Sequence, residues 1–194
     1  MIQGPATVSD ILRSGLRWVL LACASAVFST PAPALAQGRA LEYAVKATYL
    51  YKFAPFVDWP ADAFASPSSP FDLRIAGDDP FRDALDAAVS DQRIGERRIV
   101  VRRLALTDRP AGCHILFLGG ANPHAAAAAL SAVSGAPVLT ITDGAQEPAA
   151  KGVVNFVVQA NRVRFEIDDL AAAAHRLTIS SKLLNLALNV RSRE

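Results

Sequence analysis

The strongest constraint on the fold is a turn grammar that occurs twice. Gly77-Asp78-Asp79-Pro80 follows the apolar stretch Leu73 to Ala76. Gly119-Gly120-Ala121-Asn122-Pro123 follows the apolar stretch His114 to Leu118. In each, glycine permits a tight turn, Asp or Asn suits a helix N-cap, and proline suits the first helical position. A strand that feeds a helix in this way is half of a βαβ unit. Two such units predict a parallel sheet with helices packed on it.

The rest of the chain fits that plan. Residues 41–56 read as a helix, with Leu41, Val45, Thr48, Tyr49, Lys52 and Phe53 near one face, ended by Pro55 and Pro60. Residues 61–70, rich in Ser and Pro, read as a loop. Strands are expected at 73–76, 99–104, 114–118 and 138–142, and helices at 81–90 and from Pro123 to about Val133. Asp79 and Asn122 are the expected caps. Two further strands, 153–158 and 162–167, are separated by Gln159-Ala160-Asn161, which suits an antiparallel hairpin. A short helix at 170–175 follows, and Ser180 or Ser181 then caps a final amphipathic helix carrying Leu183 to Val190. The expected fold is a three-layer α/β domain. Its sheet is mixed and mainly parallel, with a C-terminal β-hairpin plus helix.

The first 36 residues have a separate purpose. Arg13 and Arg17 precede an apolar run from Trp18 to Phe28, and Ala34-Leu35-Ala36 follows. These are the charged region, apolar region and small-residue cleavage site of a secretory signal. The run is shorter than the ~20 residues a membrane span needs. Cleavage near Ala36 leaves 158 of the 194 residues as one domain, 37–194, and carries the protein outside the cytoplasm. It also removes two arginines and one aspartate, so the net charge falls from +2 to +1. A domain so close to neutral has no global attraction to nucleic acid or anionic lipid. One cysteine, Cys113, remains, so no disulfide is expected within the mature chain.

Catalytic chemistry is poorly represented. Cys113 and His114 are neighbours on an expected strand and point to opposite faces. His114, His124 and His175 lack metal-ligand spacing. No cofactor motif occurs. The expectation is therefore no catalytic residue, no metal and no cofactor. Weaker binding candidates remain. Asp78 and Asp143 lie just past expected strands, where open α/β sheets place ligands. Ser180, Ser181 and Lys182 open a helix and offer hydroxyls, a cation and free N–H groups. Tyr43 and Tyr51 lie off the main face of the first helix and suit a partner surface. Arg93, Arg97, Arg98, Arg102 and Arg103 form a basic stretch that suits a solvated strand edge or an acidic partner.

Several motifs in order resemble one family. Glu42, Val45-Lys46-Ala47, Leu50, Phe53, Val57 and Trp59-Pro60 form an E-x-x-V-K-A-x-x-L-x-x-F-x-x-x-V-x-W-P pattern. Gly77-Asp78-Asp79-Pro80-Phe81, Cys113-His114-Ile115-Leu116-Phe117 and Val138-Leu139-Thr140-Ile141-Thr142-Asp143 follow. Val163-Arg164-Phe165-Glu166-Ile167 and Leu177-Thr178-Ile179-Ser180-Ser181-Lys182-Leu183-Leu184 complete the series. Together they resemble the YfiR, or HmsC-like, family of periplasmic proteins. The resemblance implies a non-enzymatic regulator that binds and represses an inner-membrane diguanylate cyclase or other membrane sensor. It also implies relief of repression by an outer-membrane lipoprotein, an effect on cyclic di-GMP and biofilm formation, and the ability to form a homodimer. Some members carry paired cysteines, one matching Cys113, but Leu73-Arg74-Ile75-Ala76 has none to pair with it, so redox control is not expected. Asp168 stands where the family often has Asn, and either residue caps a helix well. A different reading gives a periplasmic small-molecule sensor with its pocket at the strand C-termini, using Asp78, Asp143 and the Ser180-Ser181-Lys182 cap.

Overall fold

The computed structural model describes residues 32–108 and 112–193. The export segment, Arg13 to Phe28, lies outside the described residues. The unit that carries the sheet runs Gln37–Glu194.

The sheet is built from the expected strands. β2 (Phe71–Gly77), β4 (Arg97–Leu104), β5 (Ile115–Gly119), β6 (Leu139–Asp143) and β7 (Val154–Gln159) are mutually parallel. β8 (Arg162–Asp168) turns back antiparallel on β7, and the short β10 (Val190–Arg191) runs parallel to β8. β3 (Arg93–Ile94) pairs antiparallel with the start of β4. The order across the sheet is β10-β8-β7-β6-β5-β2-β4-β3. A separate two-stranded ladder joins β1 (Val57–Asp58) to β9 (Thr178–Ile179).

Alternation along the strands makes three layers. Phe71, Leu73 and Ile75 of β2, Ile115 and Phe117 of β5, and Phe156 and Phe165 of the hairpin face the larger core. The long helix α1 (Ala32–Lys52) and α2 (Asp83–Val89) cover that face through Ala47, Leu50, Leu85 and Val89. α4 (Asp169–Ala174) and α5 (Ser181–Leu184) add Ala172 and Leu183. Ala76, Leu116 and Leu118 face the other way and meet Ala126 and Ala129 of α3 (Pro123–Ala132). β5 is buried along its whole length, as a central parallel strand must be. The aromatics of α1 are mostly core. Tyr49 stacks on Phe53, whose ring meets Phe165 at 5.0 Å.

The caps divide. Asn122 accepts the Ala125 N–H at 2.9 Å, with Pro123 as first helical residue, as the sequence predicts. Asp168 caps α4 by accepting the Ala171 N–H at 2.8 Å. Ser180, not Ser181, caps α5. Asp79 does not cap its helix. α2 begins later, at Asp83, with Arg82 at φ 50° in the cap position. Asp79 instead accepts the N–H groups of Phe81 and Arg82 at 2.8 and 3.1 Å. Phe81 is buried against Tyr43 and Phe117, and this inward turn of the chain delays the helix.

Three other elements differ from expectation. α1 starts at Ala32 rather than Leu41 and closes in a 3-10 turn, Ala54–Phe56, around Pro55. The turn before β4 forms the small strand β3. The final helix is one turn long. After Leu184 the chain swings to the sheet edge, where Leu188 N–H donates to Phe165 O at 2.8 Å and Ile167 N–H to Asn189 O at 2.9 Å. Val190, expected on the helix, is therefore in β10.

Candidate functional site

The C-terminal ends of β2, β5 and β6 open into one cleft of about 640 Å³. Two loops make its floor by close approach. Asp78 N–H donates to Gly119 O at 3.0 Å, bringing the loop after β2 against the loop after β5. A Cβ on Gly119 would lie 1.9 Å from the Asp78 carbonyl oxygen. One on Gly120, at φ 63°, would lie 2.1 Å from the Asp78 carboxylate. A side chain is excluded at Gly119 because the neighbour is backbone, whereas at Gly120 the left-handed φ favours glycine. Asp79, beside them, is held by Arg103 Nε at 2.7 Å.

The wall comes from α1. Tyr43 leans edge-on against Phe81, with centroids 5.8 Å apart, and Phe81 rests on Phe117 at 4.7 Å. Three residues on from Tyr43, Lys46 enters the core with 1 % of its surface exposed. Its ammonium donates to both Asp143 oxygens, at 2.6 and 2.8 Å, and to Glu42 one helical turn before it. It also lies 4.8 Å from the Tyr43 ring centroid, within cation–π range. Burial alone would lower the Lys46 pKa, but the hydrogen bonds to Asp143 and Glu42 outweigh it and raise the value overall. Burial, then the charge of Asp143, pushes the Tyr43 hydroxyl up.

Three candidate residues therefore meet here: Tyr43, Asp78 and Asp143. The others do not. Tyr51 lies two turns along α1, about 12 Å in helix rise from Tyr43, and packs against the core. Ser180, Ser181 and Lys182 sit beyond β9, where Ser180 N–H donates to Phe56 O at 2.9 Å. This is the far end of α1, so a pocket combining the Ser180-Ser181-Lys182 cap with Asp78 and Asp143 is not formed. The Ser180 hydroxyl is engaged in its own helix, accepting from Lys182 N–H at 3.2 Å. Lys46 belongs to the site and was missed as a site residue by sequence reasoning. Its signal was a lysine inside the apolar run Val45-Lys46-Ala47.

Apolar and polar groups share the lining of the cleft, carboxylates among them. Among the described residues Asp78 and Glu147 line it without an ion pair, whereas Asp143 and Asp79 are taken by Lys46 and Arg103. Arg39 of α1 lines it as well. Thr142, the hydroxyl nearest the strand end, donates to Asn155 Oδ1 at 3.0 Å. Among the described residues, no group of His, Cys, Asp and Glu side chains is gathered closely enough to hold a metal ion.

The remaining polar residues of interest are structural. His114 Nδ1 accepts the Asp72 N–H at 2.9 Å, and Nε2 is 3.1 Å from Ala63 O, to which it donates. The ring is sandwiched between Phe64 and Phe71 at 4.4 and 4.8 Å. Burial holds its pKa below the usual histidine value. Cys113 is buried, and that burial pushes its thiol up to about 12. No described helix is long and apolar enough to cross a membrane.

No curated protein matches the chain. Residues 43–188, most of the chain and all but the edges of the sheet domain, match the family described as YfiR/HmsC-like. The match begins at Tyr43 on the cleft wall and takes in Lys46, Asp78 and Asp143. The chain belongs to the YfiR/HmsC-like family.

Proposed function

We propose that the protein is an exported, non-enzymatic regulator that binds and represses an inner-membrane diguanylate cyclase. Cleavage near Ala36 releases the domain 37–194 into the periplasm. Binding there lowers cyclic di-GMP made on the other side of the membrane and so limits biofilm formation. An outer-membrane lipoprotein relieves the repression, and the domain is able to pair with a second copy. The observation that carries this reading is the family match across residues 43–188. The cleft is compatible with this reading: its polar lining comes from Arg39, Tyr43, Gln146, Thr142 and carboxylates, and the Thr142 hydroxyl is engaged with Asn155. Deletion of the gene is expected to raise cellular cyclic di-GMP, measured by mass spectrometry. An unchanged level refutes cyclase repression.

A second reading is favoured by the cleft itself. Its place at the strand C-termini is where open α/β sheets bind ligands. In this reading the domain is a small-molecule sensor that uses Tyr43, Asp78 and Asp143. Thermal-shift measurements with nucleotides and amino acids test it. A ligand at 100 times its Kd adds about 2.7 kcal/mol to stability. No shift with any of them counts against a sensor. The two readings combine if the ligand tunes the partner.

A further inference from the structure

A second surface lies at the β3 edge of the sheet. Residues two apart in a strand share a face. On β4, Ile99 and Val101 face the larger core, so Arg98, Val100, Arg102 and Leu104 face away from it. Register places Asp72 and Arg74 of β2 beside Val100 and Arg102 on that outer face. Arg93 of β3 lies directly opposite Arg98. Four guanidinium groups thus share the face with one carboxylate, Asp72. α3 covers this side of the sheet only as far as Ala76 and Leu116. Arg93 and Arg98 are exposed, and the Arg102 side chain keeps 56 % of its surface in solvent.

The carboxylate is already engaged. Asp72 accepts Arg74 Nε at 2.7 Å and Arg102 Nε at 2.9 Å. Among the described residues, Arg93 donates only to the backbone oxygen of Glu96, at 3.1 Å, and Arg98 has no ion pair. Like charges directly across a strand pair are destabilising. A single lysine would be enough to keep a strand edge from aggregating. Two facing arginines exceed that need, and their planar forks suit bidentate capture of carboxylates. The strand edge is open as well. β3 covers β4 only at Arg97 and Arg98, so beyond them alternate backbone groups from Ile99 to Leu104 point outward with no strand beside them among the described residues.

We infer that this edge docks an extended, Asp/Glu-rich segment of a protein partner, added as a strand along β4 with its carboxylates over Arg93, Arg98 and Arg102. Backbone pairing supplies affinity, and the arginines select for acidic side chains. The inference rests on the partner-binding reading above and names the face and the chemistry. An anionic bilayer fits less well, because the apolar side chains on this face, Val100 and Leu104, are half-buried and none projects far enough to enter lipid.

The test uses the protein as the cell exports it and a fluorescent ten-residue peptide of alternating glutamate and valine. Anisotropy is expected to show binding that weakens about tenfold or more at high salt, as screening requires. The pair Arg93→Glu with Arg98→Glu is expected to weaken binding about tenfold or more, with unchanged circular dichroism. The milder pair Arg93→Gln with Arg98→Gln is expected to weaken it less, and it decides the matter if the first variant fails to fold. A lysine–valine peptide is expected not to bind. Absence of binding at millimolar peptide, or binding untouched by either pair, overturns the inference. So does binding of phosphatidylglycerol vesicles without binding of the peptide. In cells lacking the gene, the wild type should restore low cyclic di-GMP and the glutamate pair should not. If deletion itself leaves cyclic di-GMP unchanged, the repressor reading fails, whereas the peptide result still judges the surface.

Discussion

Replacing Asp143 by Asn removes the charge that Lys46 meets at 2.6 and 2.8 Å and keeps the shape of the side chain. Lys46 is almost wholly buried, with 2 % of its side chain exposed, so it cannot turn to water. Breaking a buried ion pair from one side costs about 3–5 kcal/mol when nothing else compensates. Here Glu42 remains as a second partner, though its side chain is 29 % exposed and partly solvated. The expected cost is therefore about 2 kcal/mol, or roughly 4–8 °C in Tm for a domain of this length. Lys46→Met alone should cost less, about 1 kcal/mol, because Asp143 and Glu42 both reach solvent and the Met side chain fills the volume of the Lys stem. In the double variant no buried cation is left stranded. It should be more stable than Asp143→Asn alone, giving a coupling of about 1–2 kcal/mol in a double-mutant cycle measured by urea unfolding. The same pair has a pH signature. Lys46 is raised above its ordinary value, so its contribution is complete below that value, about 10.5, and is lost as pH rises through the folded value. The wild type should thus lose its advantage over Lys46→Met in strong alkali. A cost under about 0.5 kcal/mol for Asp143→Asn, with additive effects in the cycle, would refute the reasoning.

Gly119→Ala should destabilise by about 2–3 kcal/mol, since the new Cβ meets a backbone oxygen at 1.9 Å. Thermal unfolding that shows no loss of stability would contradict it. His114 is held neutral by burial, so its contribution is complete above its ordinary value of about 6.5 and is lost as pH falls through the lowered folded value. His114→Gln should therefore flatten the acid limb of the stability curve, and an unchanged limb would count against a buried neutral imidazole. The Cys113 thiol, pushed up to about 12, should react with iodoacetamide at pH 8 at least ~100 times more slowly in the folded protein than in guanidinium. Equal rates would exclude the buried placement.

The fold was legible where local chemistry and tertiary packing agree. Asn122-Pro123 both cap and start α3. Ala160 and Asn161 adopt φ 50° and 58°, the turn that joins two strands with the right twist, so the Gln159-Ala160-Asn161 break between strands was a sound signal. Legibility failed where a distant contact prevailed over local preference. Leu183 to Val190 has helical spacing of apolar residues, but Asn185 and Asn189 are weak helix formers. The open edge of β8 offers backbone partners at Phe165 and Ile167, and pairing there ends the helix after one turn. Likewise Asp79 has the right type and place for a cap. The pull of Phe81 into the core decides the outcome instead, and no local pattern announces that.

The cleft shows the same limit in sharper form. Asp78 and Asp143 could be placed at strand ends from the turn grammar alone. Lys46 could not be matched to Asp143 across 97 residues, because nothing in the sequence favours Asp143 over Asp78 before the strand order is known. The parallel register that sets β6 beside β5 and beneath α1 makes the choice. That choice then constrains what the cleft can do. A ligand that took Asp143 would have to replace two hydrogen bonds to a buried ammonium, at the cost just estimated for Asp143→Asn. Asp78 carries no such debt: it has no ion pair among the described residues, and its carboxylate is exposed. Tyr43, one turn from Lys46, is held over the cleft by the same anchor. Asp143 and Lys46 therefore position the wall, and Asp78 and Glu147 are the lining carboxylates without an ion pair among the described residues; if the domain is a sensor, Asp78→Asn should weaken a cationic ligand while leaving stability within about 0.5 kcal/mol of the wild type.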